Sequence, residues 1–231
     1  MRQLDSPKQS QENPTPEKTD AVTSRVSYWL IRLVYPLGRH LVLPFYFGKI
    51  EVKGQEHLPK DGAVILAPTH RSRWDALVLP YAAGRHAIGR DLHVMISADE
   101  MKGLQGWFLS HLGGFPVNPR HPGISSLRHG IKLLEQGEVL VIFPEGNIFR
   151  TEEAHPFEPG LGRIALHAES NQPGLGIKIV PISIRYSDAV PHWGTDIEVC
   201  IRSPLQVEDY CKKPAKPCAE ELMADLRKVL Q

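Results

Sequence analysis

Only three of the 231 residues are cysteines, Cys200, Cys211 and Cys218, and all lie near the C-terminal end. Their odd number and their spacing fit neither a disulfide framework nor a zinc motif, so reduced thiols are expected. Net positive charge is missing as well: 27 Lys and Arg face 26 Asp and Glu, for a formal charge of +1. A protein whose work is bulk nucleic acid needs a cationic excess, so nucleic acid is not an expected partner. No G-x-S-x-G elbow occurs, which removes the serine nucleophile of the α/β-hydrolases. The polar N-terminus shows no signal-peptide pattern, and no internal repeat is visible.

One absence is local. From Ala21 to Ile50 there is not a single acidic residue, while Arg25, Arg32, Arg39 and Lys49 supply positive charge. The three arginines are spaced by seven, which on a helix keeps them near one face. Around them lie Trp29, Leu30, Leu33, Val34, Leu37, Leu41, Phe45 and Phe47. The arginines interrupt every window of about 18 apolar residues that a spanning helix would need. An amphipathic, aromatic, cation-striped segment suits the plane of an anionic membrane surface, and a helical hairpin packed on the domain is the plainer alternative. Pro36 and Pro44 are expected to kink or end its helices.

What remains is ordinary and patterned. Hydrophobic residues at 42 % and charged residues at 23 % allow a sizeable core, and the length suits one large α/β domain. Residues 1–20 are too polar and proline-rich to bury a core and are expected to form a disordered tail. Residues 21–48 form the amphipathic segment, and 49–231 the main domain. Strands are expected near 49–54, 63–68, 92–97, 137–143, 177–184 and 196–202, rich in Val and Ile and bounded by Gly, Pro or Asp. Helical patterns fall over 74–84, 99–111, 124–136 and 160–170, and a last one closes the chain. This alternation predicts an α/β fold, a central, largely parallel sheet flanked by helices.

Residues 67–80 read APTHRSRWDALVLP. A hydrophobic strand ends in a proline, and His70, Arg71, Arg73 and Asp75 follow before an apolar helix. That puts the imidazole at the C-terminal edge of a strand, where α/β sheets keep their clefts. A His on the loop and an Asp in the first helical turn can meet, and the carboxylate then fixes the tautomer and steadies the imidazolium of a general base. A core His capped by a helix Asp fits these residues equally well. The same spacing recurs at His86 and Asp91, but in a glycine-flanked polar connection where a solvated loop is the better reading.

Further on, GGFPVNPR at 113–120, FPEG at 143–146 and VPISI at 180–184 give three more abrupt strand edges. Taken in order with THRSRWD, they resemble the four blocks of the glycerolipid acyltransferase family, from about residue 50 to about 190. The resemblance implies an O-acyltransferase like the 1-acylglycerol-3-phosphate acyltransferases. His70 is then the base for the acceptor hydroxyl and Asp75 its orienting acid. Acyl-CoA or acyl carrier protein is the implied donor and a lysophospholipid the acceptor, with no metal or bound cofactor. The blocks around Gly114 and over Phe143, Pro144, Glu145 and Gly146 are implied to shape the acceptor and phosphate pocket. Where the family has Thr-Arg after that block, this chain has Asn147 and Ile148, and the next cation is Arg150. The usual Asp-Arg after the glycines appears as Asn118-Pro119-Arg120. Arg71, Arg73, Arg120, Arg150 and Arg163 are therefore the candidates for a phosphate clamp, each of which could equally be a surface arginine.

Rival readings have less support. GLGRIA at 160–165 matches a dinucleotide fingerprint but follows HPFEP, which is no strand. A non-catalytic lipid-binding protein on the same scaffold would not need a His–Asp pair, and a hydrolase would differ only in the acceptor pocket. Trp74 reads as helix packing, and the apolar face over 99–111 reads as core rather than acyl groove. The overall expectation is a peripheral acyltransferase on the cytoplasmic face of a membrane.

Overall fold

The computed structural model describes residues 22–118, 123–150, 155–210 and 215–230. The tail expected over 1–20, and Arg120 and Cys211, lie outside the described residues. Strands β1 (Ile50–Lys53), β2 (Val64–Pro68), β3 (Leu92–Ser97), β4 (Gly114–Val117), β5 (Val139–Val141), β6 (Lys178–Tyr186), β7 (Ile197–Ile201) and β8 (Leu205–Gln206) form one sheet. Its order is β1-β7-β6-β2-β5-β3-β4, with β8 pairing β6. Neighbours are parallel except where β6 meets β7 and β8.

The strands are hydrophobic along their length because both faces are covered. In β2, Ile65 and Ala67 join a core that includes Leu134 and Leu161, while Val64 and Leu66 join another that includes Val78 and Ala82. The first face carries helices α6 (Ile124–Glu135), α7 (Gly160–Asn171) and α8 (Ala215–Leu230). The second carries α3 (Asp75–Ala83), α4 (Arg85–Ile88) and the end of the N-terminal segment. α5 (Gly103–His111) lies before β4, the edge strand.

Two prolines mark the sheet in ways the sequence concealed. Pro116 argues against a strand, yet β4 includes it, because only an edge strand can leave an N–H unmade. Pro181 falls inside β6 and not at its edge. The antiparallel partner of β6 is β8 up to Ile179 and β7 from Ile182, so Pro181 sits in the gap between two ladders.

The N-terminal segment is helical from Tyr28 to Tyr46, through α1 (Tyr28–Leu37), a π turn (Gly38–Val42) and α2 (Leu43–Tyr46). Neither proline ends it. The π turn, in which the Leu43 N–H donates to Gly38 O, accommodates the irregularity instead. Trp29, Leu33, Leu37, Leu41 and Phe45 recur every fourth residue and are 45–66 % exposed. The looser winding of the π turn takes back part of the drift that such a repeat accumulates on a 3.6-residue helix. Leu30, Ile31 and Leu43 are buried on the other side.

The expected arginine stripe is not a stripe. Residues 25–27 pair by backbone with Ser110, His111 and Gly113, so Arg25 precedes the helix. Arg39 turns inward, donating to Tyr81 O at 2.9 Å and meeting His86 Nε2 at 2.5 Å. Ser24 ties the same stretch to the domain: its Oγ lies 2.8 Å from His93 Nδ1 and 3.0 Å from His129 Nε2. Burial holds both imidazoles below the usual histidine range, which keeps a lone pair on His129 for the Ser24 N–H.

Candidate active site

Three adjacent parallel strands, β6, β2 and β5, deliver the site to one edge of the sheet. β2 ends at Pro68, and the departure of the chain is pinned by Thr69. Its N–H donates to Ile182 O, and its Oγ1 accepts from the Ile184 N–H at 2.9 Å. Residues 70–74 then turn into α3, whose first residue is Asp75.

Asp75 is fully buried, and every contact it makes organises this turn. Its Oδ2 accepts from the Arg71 N–H at 2.7 Å and the Ser72 N–H at 2.9 Å, and faces His70 Nδ1 at 2.9 Å. Its Oδ1 accepts from the Tyr186 hydroxyl at 2.7 Å. Burial and the neighbouring carboxylate push the Tyr186 phenol far above its usual range, so it remains a donor. With Nδ1 engaged, the other ring nitrogen of His70 is left for the cleft. The imidazole is 21 % exposed and lies 4.2 Å, centroid to centroid, from the Phe143 ring.

The turn after β5 holds the loop from the opposite side. Glu145 Oε2 accepts from the His70 N–H at 2.8 Å, and Arg71 Nη1 reaches both Glu145 oxygens at 2.8 and 2.7 Å. Gly146, with φ +66°, lets the chain turn back, and a Cβ there would come within 2.8 Å of Glu158. The sequence placed Arg71 and Glu145 as separate substrate contacts. In the fold they form a partly buried ion pair beside the backbone of His70, and Arg71 does not line the cleft.

That cleft has a volume of about 1590 Å³. His70, Asp75, Phe143, Pro144, Glu145 and Gly146 line one part of it, and Leu79, Leu92, Val94, Ile96 and Leu112 make apolar wall. Gly114 lines it too, and a Cβ there would meet Ile96 Cδ1 at 2.6 Å and Leu109 O at 2.8 Å, so nothing larger fits. Arg73 reaches the rim, paired with Glu100 at 2.7 Å and largely exposed. Arg150 and Arg163 are exposed and do not line the cleft.

Trp74 packs on the N-terminal segment, stacked on Tyr46 at 4.6 Å. α5 does not bury its apolar face: Leu104, Trp107 and Phe108 are exposed, and Phe108 lines the cleft. His86 and Asp91 form no second dyad, since Asp91 pairs with Arg85 and His86 with Arg39. GLGRIA opens α7 without a preceding strand, and Gly162 makes room for Met223 and Ala219 of α8.

A carboxylate-steered imidazole at the rim of a largely parallel sheet faces an apolar cleft, an arrangement that suits general-base chemistry on an apolar substrate of an α/β enzyme. The acyltransferase family matches residues 49–185. The chain is 34 % identical to a 1-acyl-sn-glycerol-3-phosphate acyltransferase of Bacillus subtilis, over 73 % of this chain and 80 % of that one. It is 23 % identical to a chloroplastic protein of that name from Brassica napus, over 78 % of this chain and 52 % of the relative. The crystal structure of the 1-acyl-sn-glycerophosphate (LPA) acyltransferase from Thermotoga maritima superposes with a TM-score of 0.65 at 20 % identity, covering 87 % of this chain and 76 % of that one. The chain belongs to the glycerolipid acyltransferase family and is an O-acyltransferase.

Proposed function

We propose that the protein moves a fatty acyl group from an acyl thioester, of coenzyme A or acyl carrier protein, to the free hydroxyl of a lysophospholipid, 1-acylglycerol 3-phosphate foremost. The observation that carries this reading is the His70–Asp75 contact of 2.9 Å at the mouth of an apolar cleft. His70 Nε2 takes the acceptor's hydroxyl proton as its oxygen attacks the thioester carbonyl. The tetrahedral intermediate then expels the thiolate, which receives that proton from the imidazolium. The Asp75 carboxylate balances the charge that appears on the ring. The acceptor supplies the nucleophile, so no serine or cysteine of the protein is consumed. Among the described candidates for a phosphate contact, Arg73 is the one at the cleft rim. The named relatives at 34 % and 23 % identity support the choice of acceptor.

The reaction joins two amphiphiles, and the protein's own apolar surface supports a peripheral place on an anionic bilayer. The ridge from Trp29 to Phe45 continues into Trp193, whose ring meets Phe45 edge-on at 4.5 Å and is itself 59 % exposed. Aromatic rings on an exposed helix beside a stretch free of acidic residues match an interfacial binding mode. Among the described residues, no helix is long and apolar enough to cross a membrane.

One experiment tests both parts. Purified full-length protein is given radiolabelled palmitoyl-CoA or palmitoyl-acyl carrier protein and a panel of lysolipids in phosphatidylglycerol vesicles, beside a Leu37→Glu, Leu41→Glu variant. Phosphatidic acid is the expected product, and the variant should sediment poorly with the vesicles. Vesicle binding without turnover on any acceptor would establish the lipid-binding alternative. Equal sedimentation of the two proteins would refute the interfacial surface.

A further inference from the structure

We infer that Tyr186 is a positioning residue of this enzyme, a third member of the proton-transfer apparatus that acts on His70 through Asp75. The inference rests on His70 being the base. Asp75 is held unevenly: Oδ2 takes three partners from its own loop, whereas Oδ1 takes the Tyr186 hydroxyl alone, across 111 residues of sequence. A carboxylate pinned at one oxygen can still rotate about its terminal bond, and that bond is broad and soft. The Tyr186 hydroxyl fixes the rotation, and with it the direction from which Oδ2 meets the imidazole.

Tyr186 is suited to the task by its surroundings. It ends β6, the strand beside β2, and lies on the same face as Ile182 and Ile184, against which α3 packs. Its ring lies 6.1 Å from that of Phe47, which is buried at the end of the N-terminal segment. Phe47 also meets Trp74, the residue before Asp75, edge-on at 5.2 Å. The donor and the helix that carries the acceptor thus share one aromatic wall. The phenol cannot ionise in this setting, because burial and the Asp75 charge both oppose it.

The hydroxyl also sets how basic the dyad is. A donor to Oδ1 draws charge from the carboxylate and so weakens its hold on the imidazolium. Without it, the carboxylate is the stronger partner and the ring keeps its proton to higher pH. Among the described residues, the charged groups bonded to the dyad's loop are Glu145, from the turn after β5, and Arg71; these neutralise one another. Arg73, Asp99, Glu100 and Glu158 line the cleft farther out, with Arg32, Arg39 and His40 from the N-terminal segment and Arg85 and His86 from α4.

The test is Tyr186→Phe in the full chain, which keeps the ring and leaves Asp75 three donors. Rates are measured with palmitoyl-CoA and 1-oleoylglycerol 3-phosphate in mixed micelles from pH 5 to pH 9, with His70→Ala alongside. A fall in kcat of about tenfold is expected, the worth of one hydrogen bond to a charged group, with KM for the thioester unchanged. The acid limb of kcat/KM should move to higher pH, and the His70 ring, followed by NMR without turnover, should titrate higher by the same amount. An unaltered pH profile, whether activity is full or uniformly reduced, overturns the inference while leaving His70 as base. A raised KM alone overturns it in the same way. Full activity of His70→Ala overturns both.

Discussion

Replacing His70 with Ala should reduce acyl transfer by at least 10²–10⁴-fold, the range that general-base catalysis supplies. The fold should survive, because the fully buried Asp75 keeps the Arg71 N–H, the Ser72 N–H and the Tyr186 hydroxyl when the imidazole is gone. The two results belong together. An inactive variant that melts where the parent does has lost its proton acceptor, whereas one that melts early has lost its structure. Substantial turnover by a well-folded His70→Ala protein would remove the base from the mechanism.

Glu145→Gln should damage stability as well as rate. Glu145 is buried at 3 % exposed and Arg71 half-buried at 18 %, and Arg71 would keep its charge without a counter-charge. Breaking such a pair costs about 3–5 kcal/mol, or a fall in Tm on the order of 10 °C for a chain of this size. Glutamine also brings an amide that donates, and one of its two ends must face the Arg71 donors or the His70 N–H. Replacing both partners, Arg71→Met with Glu145→Met, removes the stranded charge and should restore much of the Tm. Activity should not return, since the His70 N–H then loses its acceptor in the turn after β5 and only the Phe149 N–H, on the His70 carbonyl, still ties that backbone down. If the double variant recovers turnover along with stability, the pair serves only to hold the fold together.

The sequence revealed the dyad because the signal was local. An apolar run, a proline and a polar loop put His70 at the end of β2, and five residues of separation brought Asp75 within reach. What surrounds the dyad comes from far along the chain. Glu145 and Tyr186 lie 75 and 111 residues from their partners, so spacing alone does not pair them. A signal for Tyr186 did exist: it continues the alternation of Ile182 and Ile184, so it must share their face and meet α3. The misjudged face of α5 has another cause. An apolar stripe shows that a helix wants cover without saying which surface gives it, and Leu104 is 82 % exposed beside a cleft the sequence could not display. Pro116 and Pro181 read as marks of strand edges yet lie inside strands, because a proline's cost depends on which neighbour its missing N–H would have met.

The register of β1 bears on how the molecule is made. Ile50 aligns with Ile197, so an early strand has its one neighbour in the sheet almost at the far end of translation. At 5–20 residues per second, a ribosome leaves that strand waiting on the order of ten seconds before its partner is built. The helix just ahead of it leaves the exit tunnel earlier and waits longer, with the side that later lines the cleft, Ile31, Val34 and Tyr35 among it, still bare. For nascent chains of this protein, that interval is when a chaperone or a bilayer competes most directly with folding.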